Sequence, residues 1–151
     1  MNEIKAPEPF KNAKHACIFL AGSIEMGTAE PWQENFVQEF QDYDVTFLNP
    51  RRTDWDSSWV QEKSNPEFSE QVNWELDALN FADYVVFYFD KNTKSPITLM
   101  ELGLYAHKKC IVCCPTGFYR KGNVDIVCAR YKIPVVESFE ELVKEVKSRW
   151  S

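Results

Sequence analysis

Nowhere in this 151-residue chain does an apolar run approach the roughly 20 residues that a membrane-spanning helix needs. The N-terminus, with Glu3, Lys5, Pro7 and Glu8, carries no apolar block of the kind a secretory signal requires, so a cytoplasmic protein without a membrane partner is expected. Positive charge is not in excess either: the formal net charge is -6, with acids and bases mixed along the chain. That leaves no electrostatic footprint for a nucleic-acid polymer. Cysteine is present five times, an odd number that argues against a disulfide framework. Cys110 and Cys113 have C-x-x-C spacing, but in a strand they fall on opposite faces, and no second cysteine or histidine pair completes a zinc set. His15 and His107 stand alone. No metal and no cofactor is expected. There is no linker, internal repeat or low-complexity segment.

What remains is a chain with 44% hydrophobic residues, enough for the core of one domain over residues 1–151, with 1–14 expected to be loosely ordered. Ala16 to Ala21 reads as a first strand, and Trp32, Phe36 and Phe40 recur at i, i+4, i+8 on a first helix. Asp44 to Leu48 is a second strand. The polar segment from Asn49 to Ser64, with Arg51, Arg52, Asp54, Trp55, Asp56 and Trp59, is long for a connection in a compact domain, and loops of that length usually serve function. Asn65-Pro66 opens a helix whose Val72, Leu76 and Leu79 face inward, with Gln71 and Glu75 on another face. Tyr84 to Phe89 is continuously apolar, as a strand covered on both sides should be. Ser95 reads as an N-cap and Pro96 as the first residue of the next helix. Cys110 to Cys114 is a fourth strand, and a short helix from Asn123 to Tyr131 and a short strand near Ile133 to Val136 follow. The capping box Ser138-Phe139-Glu140-Glu141 starts a terminal helix with Phe139, Leu142, Val146 and Trp150 as its apolar stripe.

Strands alternating with helices predict an α/β, flavodoxin-like (Rossmann-like) three-layer sandwich around a five-stranded parallel sheet of order 2-1-3-4-5. Ligands in such folds bind beyond the carboxyl ends of the strands where the order reverses, here between the first and third strands. Residues 22 to 28 and 90 to 101 converge at that point. Glu101 lies there, in the second turn of the Ser95 helix, with Thr98, Glu101 and Tyr105 on a face beside the core stripe of Leu99, Leu102 and Ala106. Spacing alone would leave such a Glu as solvated surface.

A resemblance gives it a role. Glu101-Leu102-Gly103, followed by Tyr105-Ala106 and the return strand Cys110 to Cys114, resembles the nucleophile motif of the nucleoside 2-deoxyribosyltransferase family, in which this Glu attacks the anomeric carbon of the sugar. Ile18 to Ile24 resembles the family's first strand and glycine-bearing loop, and Asn73 to Asp83 its helix before the third strand. Asn49-Pro50-Arg51-Arg52 and Gly122-Asn123-Val124-Asp125 resemble the deoxyribosyltransferase-like branch, related to 2'-deoxynucleoside 5'-monophosphate N-glycosidases.

The resemblance implies cleavage of the N-glycosidic bond of a 2'-deoxynucleoside or deoxynucleotide, with the deoxyribosyl group passing to another base or to water. Oxocarbenium character develops at the anomeric carbon, and a carboxylate can stabilise it or attack it. Glu101 takes that part. The departing base needs a proton, which favours a second carboxyl of raised pKa: Glu75, at the position of the family's acidic residue on that helix, with Asp90 at the end of the third strand as rival. Gly22 and Ser23 follow the first strand, where backbone can approach a ligand. Ser95 opens a helix that could meet an anion, and a Ser at this position in relatives acting on deoxynucleoside monophosphates points to a phosphorylated substrate. Arg52 and Trp55 in the long loop are substrate-binding candidates, Trp55 by stacking on a base, whereas Trp32 and Trp74 read as core. Asn123 and Asp125 are candidates for holding the sugar.

The resemblance also implies a homo-oligomer whose pockets are completed by an adjacent subunit. Two alternatives come from other classes. A receiver domain would place its phosphoacceptor at Asp90 but needs an acidic pair after the first strand, where Ala21-Gly22-Ser23 stands. A catalytically silent nucleotide-binding sensor would use the same pocket.

Overall fold

The computed structural model describes residues 1–23, 31–52 and 58–150. Along the chain run β1 (Asn2–Lys5), β2 (Ala16–Gly22), α1 (Trp32–Gln38), β3 (Val45–Asn49), α2 (Pro66–Phe81), β4 (Tyr84–Tyr88), α3 (Pro96–Tyr105), β5 (Lys109–Cys113), α4 (Lys121–Arg130), β6 (Val135–Val136) and α5 (Phe139–Trp150). The sheet has the order β1-β3-β2-β4-β5-β6, and its neighbouring strands pair in parallel.

Five of these strands reproduce the expected 2-1-3-4-5 order, but the sheet has six. The sixth comes from the segment expected to be loosely ordered: Asn2 to Lys5 pairs with Thr46 to Asn49 along the edge of β3. The backbone bonds of that edge are reinforced by Asn49, whose Nδ2 donates to Glu3 Oε2 at 2.9 Å. Further along, Phe10 packs edge-on against Trp74 at 5.6 Å, and the Trp74 indole N–H donates to the Glu8 carbonyl at 2.8 Å.

Period-two alternation splits the inner strands between two apolar layers. Cys17, Phe19 and Ala21 join Trp74, Leu79, Leu102, Val124 and Cys128 under α2, α3 and α4. Ile18 and Leu20 join Trp32, Phe36, Val37, Leu142 and Val146 under α1 and α5. Cys110 and Cys113 fall into opposite layers, as their spacing demands. Burial drives both thiols up to about 12, so they pack as inert apolar groups. Among the described residues no group of His, Cys, Asp and Glu is arranged to hold a metal ion, and no helix is long and apolar enough to cross a membrane.

Helix ends are fixed by specific hydrogen bonds. Asn65 Oδ1 accepts from the Glu67 N–H at 3.1 Å, with Pro66 as the first helical residue of α2. At the other end of α2, Lys108 Nζ donates to the carbonyls of Leu79, Asn80 and Ala82 at 2.7, 2.9 and 2.5 Å. A cation there satisfies open carbonyls and opposes the negative end of the helix dipole. The Glu141 N–H donates to Ser138 Oγ at 3.1 Å, closing the cap of α5.

Candidate active site

The strand order reverses between β2 and β4, and in open α/β sheets ligands bind beyond the carboxyl ends of the strands at such a point. Gly22 and Tyr88, paired across the two strands, stand at that edge. The Trp32 ring stacks on Tyr88 at 4.9 Å, and a Cβ on Gly22 would lie 2.3 Å from the indole nitrogen. The close approach at Gly22 is therefore made by Trp32. The neighbouring Ser23 is buried.

On the opposite layer α2 and α3 both rest on β2 and bring two carboxylates together. Glu101 is buried at 5% exposure on the α3 face that also carries the buried Thr98 and Tyr105. Tyr105 donates its hydroxyl to the Leu76 carbonyl at 3.4 Å, tying this face to α2. Glu75, half-buried on α2, is close enough that its charge, after burial itself, raises the Glu101 pKa well above the ordinary carboxylate value. Burial likewise lifts Glu75 to about 7, against the opposing pull of an N–H from Gln71. Two carboxyls in one dry site cannot both ionise cheaply, and near neutral pH the pair retains a proton.

Gln71 completes this cluster, a residue whose type and position in the sequence assign it no role. Its Nε2 donates to the Pro50 carbonyl at 2.8 Å and to Glu75 Oε2 at 3.1 Å, so Pro50, directly after β3, is tied to the carboxylate pair. The signal for it was its shared i,i+4 face with Glu75. Arg52, two residues beyond Pro50, reaches Glu70 at 3.2 Å and lies 5.3 Å from the Trp59 ring, with its side chain only 6% exposed. Trp55, the expected stacking residue, lies outside the described residues.

Ser95 occupies the N-cap position of α3, as expected, but in the left-handed region at φ 48°, ψ 50°. Its side chain does not cap the helix; its Oγ instead pairs with Thr93 Oγ1 at 2.7 Å. A buried non-glycine residue held in that region stores strain, a feature that clusters at functional sites. Asp90, the rival acid, is engaged in its own turn: Oδ1 accepts from the Asn92 N–H at 2.8 Å, and the Asp90 carbonyl accepts from Thr93 Oγ1 at 2.9 Å. Asn123 and Asp125 sit on α4, where Asn123 is exposed and Asp125 pairs with Lys121 at 3.3 Å. A cavity of about 1230 Å³ between the N-terminal segment and the last turn of α2, bordered by Phe10, His15 and Phe81, holds neither Glu75 nor Glu101.

The family model described as "Nucleoside 2-deoxyribosyltransferase like" matches residues 15–118, a span that contains β2 to β5 and both carboxylates. The chain belongs to that family. Comparison with curated proteins gives no match. Among solved structures, a conserved protein from Enterococcus faecalis V583 is similar at a TM-score of 0.61 and 15% identity, over 90% of this chain and 99% of that one. At that identity the likeness establishes the fold alone.

Proposed function

We propose that the protein cleaves the N-glycosidic bond of 2'-deoxynucleosides or their 5'-monophosphates, with Glu101 as nucleophile and Glu75 as acid. The observation that carries this reading is the pairing of the buried Glu101 with the half-buried Glu75 beside the sheet's switch point, each with its pKa raised by burial. Positive charge developing at the anomeric carbon draws the negative charge of the pair onto Glu101 and leaves the proton on Glu75. The Glu101 carboxylate then forms a bond to the anomeric carbon as the carbon–nitrogen bond breaks, and the departing base takes the Glu75 proton. Water or a second base attacks the resulting sugar ester, and Glu75 accepts the proton released. A 2'-hydroxyl would hydrogen-bond the attacking carboxylate and blunt it, so 2'-deoxy substrates are favoured.

The strained Ser95 at the start of α3 supports a 5'-phosphate seated at the N-terminal end of that helix. The reading also includes self-association, with a second copy completing the pocket. It is supported by an exposed apolar stripe on α3, Ile97, Met100 and Leu104, at 57, 53 and 50% exposure. Sedimentation of a fully active monomer would refute that part.

Incubation with 2'-deoxynucleosides and deoxynucleotides, followed by chromatography for free base, tests the reaction. Base release from 2'-deoxy substrates, much reduced with ribo substrates, is expected. Binding without release would identify a nucleotide sensor instead.

A further inference from the structure

The Gln71 side chain has an orientation fixed by its partners and an oxygen that none of them uses. Its two amide hydrogens go to the Pro50 carbonyl and to Glu75 Oε2, both acceptors. A flipped amide would turn its oxygen toward the Pro50 carbonyl, which has no proton to give. The oxygen therefore points elsewhere, and Oε1 of Gln71 is buried with no hydrogen-bond partner among the described residues. A buried acceptor left in that condition carries its desolvation cost uncompensated, unless a ligand supplies the donor. Gln71 is 4% exposed and hydrogen-bonded directly to the carboxyl read above as the acid.

A site that presents a proton donor beside a bare acceptor matches one edge of a purine. Adenine offers an N7 acceptor next to an N6 amino donor, whereas guanine and hypoxanthine offer N7 next to an oxygen, a second acceptor. We infer that Gln71 selects the leaving base, its Oε1 accepting from the 6-amino group of an adenine while Glu75 protonates the adjacent N7. The preferred substrate class is thus 2'-deoxyadenosine or its 5'-monophosphate over the 6-oxopurine counterparts. This inference rests on Glu75 acting as the acid in the reaction proposed above. Gln71 adds to it a choice between bases, made by an unpaired acceptor that rejects a second acceptor more strongly than it rejects a hydrogen.

The test is a ladder of three 2'-deoxynucleosides that differ only at position 6: amino (deoxyadenosine), hydrogen (purine deoxyriboside) and oxo (deoxyinosine). With the unmodified protein, kcat/KM is expected to fall at each step, with deoxyinosine at least tenfold below deoxyadenosine and below purine deoxyriboside as well. Gln71→Met removes the acceptor and should bring the three within a few-fold of one another. If that variant does not fold, the order of the three substrates on the unmodified protein still decides. Deoxyinosine reacting as fast as deoxyadenosine overturns the base assignment while leaving the glycosidic reaction intact. Release of no base from any of the three overturns the proposed reaction and this inference with it.

Discussion

Replacing Glu75 by Gln should stabilise the protein at neutral and alkaline pH while destroying its activity. Burial raises the Glu75 pKa from the ordinary 4.5 to about 7. A carboxyl whose folded-state pKa is raised contributes stability below its unfolded pKa and loses that contribution as pH climbs through the folded value. The window is therefore pH 4.5 to about 7, and above it the folded protein carries the full cost of an ionised Glu75. At about 1.4 kcal/mol per pH unit, that cost is roughly 3 kcal/mol. Gln has nearly the same shape, keeps an oxygen to accept the Gln71 N–H, and has no charge to desolvate. The gain in stability of Glu75→Gln over the parent should be near zero at pH 4.5, rise through the window and level off above it. In a chain of this size the plateau corresponds to about 6–12 °C in Tm. Thermal melts of both proteins at half-unit steps from pH 4.5 to 8.5 measure it. Melting curves that stay parallel across that range would refute the burial of a titrating carboxyl at this position.

Gly22→Ala places a methyl 2.3 Å from the Trp32 indole nitrogen and 2.5 Å from its ring carbons, so the indole must shift from its stack on Tyr88. Overpacking of this kind costs about 1–3 kcal/mol, and urea unfolding at an unchanged midpoint would contradict it. Ser95→Gly and Ser95→Ala both lose the Thr93 bond, but only Gly also relieves the left-handed strain, so the urea midpoint of Ser95→Gly should lie above that of Ser95→Ala, and equal midpoints would contradict the strain. If Ser95 also holds a 5'-phosphate, Ser95→Ala narrows the rate advantage of a deoxynucleotide over its nucleoside by about 1–3 kcal/mol, and an unchanged ratio leaves Ser95 as a purely structural residue.

The elements that could be read from the sequence are those whose signals are local. The apolar run from Tyr84 to Phe89, the Asn65-Pro66 helix start and the Trp32, Phe36, Phe40 stripe each state their environment within a few residues; the first two stand as expected, and the three rings of the stripe are buried together although α1 ends at Gln38, before Phe40. Strand β1 could not be read this way. Asn-Glu-Ile-Lys has no burial pattern of its own and becomes a strand because the edge of β3 offers it backbone partners, a non-local fact. Ser95 shows the limit of a cap signal: residue type and the following proline mark the helix start correctly but do not reveal that the serine side chain turns to Thr93. The nearness of Glu75 and Glu101 is likewise a property of two helices packed on one strand, invisible in the spacing of either. Gln71 was visible as a neighbour of Glu75 on one helix face, but its other partner, the Pro50 carbonyl, comes from 21 residues away in the chain.

The central claim, that Glu101 attacks the sugar, is tested most directly by trapping the sugar on the protein. Acid quenching during turnover of a 2'-deoxynucleoside, followed by mass spectrometry of the intact chain and of its peptides, should show one deoxyribosyl adduct located on Glu101. Glu101→Gln, which keeps the shape of the buried side chain, should fold, show no adduct and release no base. An adduct on another residue, or base release by Glu101→Gln at the parent rate, would contradict the assignment.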